Sequence, residues 1–293
     1  MALIIAGERS GVGKTTVTLA LLSCLSRRGL RVQSFKVGPD YIDPMFHRRV
    51  TGRACRNLDP VLTSENYVKE CFDNYSNLSE YSVVEGVMGL FDGVNRITPR
   101  LPLPLLNKGI KKKKGLIKTG VNGFASTAHI AKLLNVPVLF VIDCSCLSGS
   151  VAAIVHGYSS FDKDIQIAGI ILNRVGSNRH LSLLKNSLEP LQIPILGILH
   201  RQENIAIPDR HLGLIPTAEL SELNQIIDKL VDIGETCFDW ESLLPLLRTR
   251  GQGDEETRGQ GDKETRRLED ALEIFTPSSP SIKLAIAYDK AFN

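Results

Sequence analysis

Apolar residues in this chain come in short blocks separated by polar and glycine-containing stretches. Ala2 to Ala6 is a continuous apolar run, and Thr15 to Leu25 then places apolar residues at helical spacing. The first pattern predicts a strand buried on both faces and the second a helix with one buried side. Arg27-Arg28-Gly29 offers cations and a glycine to end that helix, and Arg31 to Val37 predicts a second strand, completing a βαβ unit. Further on, a helix is expected over Thr63 to Tyr75, capped by Thr63 or Ser64, and a strand over Tyr81 to Glu85. Ser126 is expected to cap a helix reaching Asn135, ahead of Val136 to Asp143, the most apolar strand of the chain. A helix to about His156, a strand from Ile167 to Asn173, a helix from Asn178 and a strand from Ile195 to Leu199 continue the alternation. Thr217 is expected to cap a last helix with Leu220, Leu223, Ile226, Ile227, Leu230 and Val231 on one face, closing the unit near Gly234. Six strands separated by helices predict an α/β fold built on a doubly wound, mostly parallel sheet.

The pattern breaks in two places. From about residue 96 to 122 it dissolves into prolines, isolated glycines and the run Lys111 to Lys114, which predicts an insertion: a solvated loop or an active-site lid. From Arg248 an eight-residue polar unit occurs twice, ending at Thr257 and at Thr265; such a segment buries no core and reads as a disordered linker. The expected organisation is therefore one domain over 1–245, a polar linker over 246–280 and, over 281–293, the opening strand of a further domain.

Composition narrows this little. Of 293 residues, 43% are hydrophobic and 23% charged, ordinary values for a water-soluble globular chain. A net charge of +3 argues for neither nucleic acid nor membrane surfaces as partners. No apolar run approaches the roughly 20 residues of a membrane span, so a cytoplasmic enzyme is expected. The six cysteines show no paired C-x-x-C spacing and are read as reduced and structural.

The candidate chemistry sits where the first strand ends. Gly7-Glu-Arg-Ser-Gly-Val-Gly-Lys-Thr15 lies between a strand and a helix, the context of a phosphate-binding loop. Backbone N–H groups around Gly11, Val12 and Gly13 and the helix N-terminus would face an anion, with Thr16 beside them on the first turn. Lys14 would reach the outer phosphates of ATP and the Thr15 hydroxyl would hold Mg²⁺. The usual spacing puts a glycine where this chain has Glu8, and Arg9 stands where a deviant branch of such ATPases carries a second lysine. Hard Mg²⁺ also wants carboxylate oxygens, and Asp40, Asp43, Glu85 and Asp92 fall on loops at the carboxyl edge of adjacent strands. A plain hydrolase needs one or two; the surplus suggests a second substrate held against the γ-phosphate.

These residues also carry a resemblance. Ser10-Gly-Val-Gly-Lys-Thr-Thr16, Phe35-Lys-Val-Gly-Pro-Asp-Tyr-Ile-Asp-Pro44 with His47, Asn57-Leu-Asp59, Val84-Glu-Gly-Val-Met-Gly-Leu-Phe-Asp-Gly93, Ser126-Thr-Ala128 and Arg210-His-Leu-Gly-Leu214 together resemble the cobyrinic acid a,c-diamide synthase family over about residues 3 to 220. The resemblance implies a P-loop NTPase domain of the dethiobiotin synthetase type, acting in cobalamin biosynthesis. It further implies that a corrinoid carboxylate takes the γ-phosphate of ATP and that ammonia, normally from glutamine, displaces phosphate to leave an amide at positions a and c. On that reading Asp40 and Glu85 are Mg²⁺ ligands, directly or through water. Tyr41, Ile42, Asp43 and Asp92 line the carboxylate and ammonia side, and Asn173 meets the adenine edge unless it is a turn residue only. His47 and Arg210 bind substrate carboxylates or serve as structural hydrogen-bonding groups.

The family's second domain is a class I glutaminase with a cysteine nucleophile. Ile282 to Phe292 resembles only its opening strand, and none of the six cysteines has that context. No intrinsic glutaminase activity is expected of this chain; free ammonia or a separate glutaminase polypeptide, and a homodimer, are left open. Two other readings stay in play. One is a dethiobiotin synthetase or cobyric acid synthase-type ligase; the other is a partitioning-type ATPase switch, which leans on Arg9.

Overall fold

In this computed structural model of the protein, residues 2–94, 123–201 and 220–248 are described. Along the chain come β1 (Leu3–Gly7), α1 (Lys14–Arg27), β2 (Val32–Val37), α2 (Ile42–Thr51), β3 (Arg56–Leu58), α3 (Glu65–Ser76) and β4 (Tyr81–Glu85). They are followed by α4 (Thr127–Leu134), β5 (Val138–Asp143), α5 (Ser150–Phe161), β6 (Ile167–Val175), α6 (Asn178–Leu188), β7 (Ile195–His200), α7 (Leu220–Cys237) and α8 (Trp240–Leu247). The strands form one parallel sheet in the order β3-β2-β4-β1-β5-β6-β7.

Every residue of β1 is buried, and side chains alternate between two cores. Leu3 and Ile5 pack with Val17 and Leu21 of α1, Leu230 of α7 and Leu243 of α8, while Ile4 and Ala6 pack with Val68 of α3, Ile130 of α4, Val155 of α5 and Leu184 of α6. Helices thus cover both faces, the doubly wound arrangement that the apolar runs predict. β1 lies centrally between β4 and β5, with β2 and β3 beyond the one and β6 and β7 beyond the other, so the loop after β1 opens at the point where strand order reverses.

Local signals set the helix ends. Ser64 and Ser126 cap α3 and α4, accepting from the backbone N–H of Tyr67 and His129, and Asn135 closes α4 in the left-handed region at φ 51°. All six cysteines are free thiols. Among the described residues no helix is long and apolar enough to cross a membrane.

Three elements depart from the sequence expectation, one of them α8, whose fully buried Leu243 and Leu247 lie beyond Gly234, where the unit is expected to close, and reach into the expected linker. The sheet has a seventh strand, β3, of three residues whose Arg56 and Asn57 lie toward solvent, too short and polar to show an alternation. The stretch read as a loop through Pro44 becomes helical at Ile42. Pro44 lies in the first turn of α2, where its missing N–H would have had no intrahelical partner, and Asp40 Oδ1 accepts from the N–H groups of Ile42 and Asp43 at 2.8 and 3.3 Å. The expected lysine-rich insertion over 96–122, Thr217, the linker from residue 249 onward and the strand over 281–288 lie outside the described residues.

Candidate active site

The loop from Gly7 to Lys14 turns β1 into α1. Gly11 and Gly13 have φ of 77° and 99°, conformations that L side chains rarely adopt. At Gly13 space also forbids a side chain, since a Cβ would lie 2.2 Å from Asn173 Nδ2. Asn173, at the end region of β6, donates to the Val12 carbonyl at 2.7 Å and its Oδ1 accepts from the Arg174 N–H, so it braces the loop from outside. Beside it, a cavity of about 100 Å³ is bordered by Gly13, Thr16, Asn173, Arg174, His200 and Ile233.

Lys14 is buried and its ammonium donates to the carbonyls of Arg9 at 3.0 Å and Met88 at 2.6 Å. Met88 takes φ 50°, an uncommon conformation for a residue with a side chain, which brings its carbonyl onto that ammonium. Burial, with Lys36 nearby, pushes the Lys14 pKa down against the pull of Glu85, Glu8 and Asp92. Neighbouring Arg9 reaches Asp143 at the end of β5 at 3.0 Å, and Arg174 meets the same carboxylate at 2.5 Å. Burial opposes the Asp143 charge, but hydrogen bonds at Ser145 and the Arg174 cation outweigh it and hold the carboxyl down at about 2.

Three of the four acids expected at the sheet edge converge on a residue the sequence reading passed over. Lys36, on β2 and only 4% exposed, reaches Asp43 Oδ2 at 2.5 Å, Glu85 Oε1 at 2.9 Å and Asp40 Oδ2 at 3.7 Å. Glu85, at the end of β4 and fully buried, also accepts from the Thr15 hydroxyl at 2.7 Å and contacts His47 Nε2 at 2.6 Å. The other ring nitrogen of His47 meets the Cys55 thiol at 3.4 Å. One connected network therefore runs Cys55–His47–Glu85–Thr15, with Lys36 tying in Asp43 and Asp40. The signal for Lys36 was present: a cation on a strand buried on both faces must find an anion.

The charges settle one another. Burial alone would raise the Glu85 pKa, but Lys36, His47 and the Thr15 hydroxyl outweigh it and hold the carboxyl far below its ordinary range. Burial likewise opposes charge on Lys36, and the Glu85 and Asp43 carboxylates hold its pKa above the usual lysine value. For His47, burial disfavours the cation, yet the Cys55 and Glu85 hydrogen bonds carry its pKa up to about 9. Asp43 goes the other way: burial and the Glu85 charge push it up to about 6 despite Lys36.

The remaining expected residues are placed as follows. Asp92 accepts from the Gly89 N–H at 2.8 Å, within the turn that carries Met88. Tyr41 is 74% exposed, and Ile42 is half-buried against the core that holds α1. His47 is wholly buried with both ring nitrogens engaged. Arg210 lies outside the described residues. Among the described residues no cluster of three or more His, Cys, Asp or Glu side chains is arranged around a metal position. The donors that do adjoin the loop, the Thr15 hydroxyl and the Glu85 carboxylate, are hard oxygens of the kind Mg²⁺ takes when phosphates and water complete its shell.

Comparison with known proteins gives this geometry a family. A cobyrinate a,c-diamide synthase of Synechococcus sp. is 54% identical over 296 aligned positions, covering 100% of this chain and 56% of that protein. One of Synechocystis sp. is 51% identical, covering 100% and 54%. The chain thus spans about half the length of the curated relatives it matches. Among solved structures, the signal recognition particle receptor FtsY of Elizabethkingia anophelis overlaps 79% of this chain and 65% of its own at a TM-score of 0.42 and 14% identity. The model of the CobQ/CobB/MinD/ParA nucleotide binding domain matches residues 3–215, which include every strand of the sheet, and the chain belongs to that family.

Proposed function

We propose that this chain is the ATP-dependent synthetase part of a cobyrinate a,c-diamide synthase, converting carboxylates of a corrinoid to amides. The observation that carries the reading is the Lys36 network. It sets Asp40 and Asp43, at the opening of α2, beside Glu85 and the Thr15 hydroxyl of the phosphate loop. An ATPase acting on water has no need of two further acids there. An enzyme that sets a second, anionic substrate and a nitrogen nucleophile against the γ-phosphate does.

In this mechanism Lys14 leaves the carbonyls of Arg9 and Met88 to meet the γ-phosphate, and the backbone N–H groups of Gly11, Val12 and Gly13 hold the β-phosphate. Thr15 would hold Mg²⁺ directly, with Glu85 and Asp40 directly or through water. Bound there, the ion neutralises charge on the transferring phosphoryl group. A substrate carboxylate oxygen attacks the γ-phosphorus, the bond to ADP breaks and an acyl phosphate forms. Ammonia adds to the acyl carbon, the C–O bond to phosphate breaks, and a proton leaves the nitrogen. Asp43, whose pKa of about 6 leaves it ionised at neutral pH, accepts that proton, with Asp92 orienting the ammonia. Tyr41 and Ile42 belong to the substrate side, and Asn173 braces the loop and borders the adenine side. His47 positions Glu85, which leaves carboxylate binding to Arg210. Ammonia comes from glutamine, and the reaction takes place in the cytoplasm.

The test follows the oxygen. With ATP, Mg²⁺, ammonium and cobyrinic acid labelled with oxygen-18 in its carboxylates, each amide formed should place one labelled oxygen in the released phosphate. Amide formation with unlabelled phosphate would remove the acyl phosphate; ATP hydrolysis without amide would remove the ligase reading.

A further inference from the structure

A second cavity, of about 470 Å³, opens on the outer side of the acid loop and falls within the size range of small-molecule sites. Asp40, Tyr41, Arg56, Asp59, Leu62 and Tyr67 are among its lining residues, so it shares Asp40 and Tyr41 with the phosphoryl edge. The two regions are tied covalently through that loop and by a hydrogen bond from Asn57 of β3 to the Asp40 carbonyl at 2.5 Å. Its wall is unusual for a protein surface. Tyr41, Leu62 and Tyr67 are 74%, 73% and 51% exposed, three large apolar side chains around one opening.

Within that wall sits one cation, Arg56. The Arg56 guanidinium lies over the Tyr75 ring at 4.2 Å, and its buried Nε has no hydrogen-bond partner. Two acids share the lining: one oxygen of each caps a turn of its own loop, Asp40 Oδ2 lies 3.7 Å from Lys36, and Asp59 Oδ2 is buried without a partner. Asp59 Oδ1 accepts from the N–H groups of Val61 and Leu62, and Asp40 Oδ1 from those of Ile42 and Asp43. Large apolar and aromatic side chains around a guanidinium that is held over a ring and keeps an unpartnered Nε, adjoining a phosphoryl-transfer edge, are complementary to a rigid apolar ring carrying several carboxylate arms.

Resting on the proposed function, we propose that this cavity seats the edge of the corrinoid macrocycle. The ring lies against Tyr41, Leu62 and Tyr67, and one carboxylate arm that is not being activated is held by Arg56. Another arm is thereby delivered past Asp40 to the γ-phosphate. Arg56 is a binding and positioning residue, with no part in bond making.

The full chain is titrated with cobyrinic acid, bound corrinoid being read from its visible absorbance after ultrafiltration, and separately with a non-hydrolysable ATP analogue. Arg56→Gln should weaken the corrinoid by about ten- to a hundredfold, the range of a hydrogen bond to a charged group, and leave the analogue unaffected. Arg56→Lys should recover part of the loss. In turnover the change should fall on the KM for the corrinoid, with kcat and the KM for ATP held. Leu62→Ala and Tyr67→Ala, whose side chains face solvent, should each weaken the corrinoid severalfold and decide the matter if Arg56→Gln does not fold. Wild-type corrinoid affinity in these variants would overturn the seat and leave the ligase reading intact. A wild-type chain that binds the analogue and no corrinoid would overturn both.

Discussion

Glu85 is the residue on which the site depends. Its carboxylate has no exposure and serves Lys36, His47 and Thr15 together. Two buried cations are thereby compensated by one anion, with Asp43 as a second partner for Lys36. Removing one member of a buried ion pair leaves its partner stranded, at a cost of about 3–5 kcal/mol. Glu85→Gln should lose stability on that scale in urea unfolding of the nucleotide-free protein, and a loss below about 1 kcal/mol would contradict the network. His47 adds a pH signature. Its pKa rises from 6.5 to about 9 on folding, so the stability it contributes is complete below pH 6.5, drains away as pH climbs toward 9, and is gone above. In nucleotide-free, chelated protein the urea midpoint should fall across that window, and His47→Gln should flatten the fall. A wild-type midpoint that rises there would count against a charged His47. At this scale the acids of the site were legible from sequence because glycine- and proline-bearing loops at strand ends announce ligand territory. Lys36 and His47 were harder to place. Lys36 announces that it needs an anion but not which one, and His47 looks like a surface residue until α2 is packed, because partners and burial are properties of the fold rather than of the local string.

Among the elements, the phosphate loop and the α1–α7 crossing each need a glycine because neither leaves room for a side chain. Gly13 combines a left-handed backbone with a side-chain clash against Asn173, so Gly13→Ala should cost about 1–3 kcal/mol and weaken nucleotide binding at least tenfold. Gly234 of α7 lies against α1, where an added Cβ would come within 2.2 Å of Cys24 Sγ and 2.9 Å of the Ala20 carbonyl. Gly234→Ala should destabilise by about 1–3 kcal/mol through overpacking, while the affinity for an ATP analogue stays at the wild-type value. Thermal unfolding and nucleotide titration of both variants check the pair; equal loss of nucleotide affinity in the two would show that the loop is not independent of the crossing. Helix termini were readable because a serine cap acts within a few residues: Ser64 and Ser126 sit where the spacing puts them. The start of α2 was not, because Pro44 looks like a breaker unless one knows that it falls in a first turn. β3 gives no local signal at all; its three residues are a strand only because β2 pairs with them.

For the molecule as a whole, the doubly wound sheet explains why residues far apart in sequence act together. Parallel strands in the order β2-β4-β1-β5-β6 bring Asp40, Glu85, Lys14, Asp143 and Asn173, at or just beyond the strand ends, to one carboxyl edge. The alternation of apolar runs announced this architecture, since strands buried on both faces require helices on both sides. The order of the strands came only with the packed structure, because identical apolar runs carry no label for their neighbours. The central claim is that this edge couples ATP cleavage to amide formation on a corrinoid. The most direct measurement incubates the full chain with ATP, Mg²⁺, ammonium and cobyrinic acid, and counts amides on the macrocycle by mass spectrometry against phosphate released. The account predicts two amides in succession, each matched by one phosphate, and neither product when the corrinoid is omitted. Phosphate release that ignores the corrinoid, or that is stimulated instead by DNA or a partner protein while no amide forms, would contradict it.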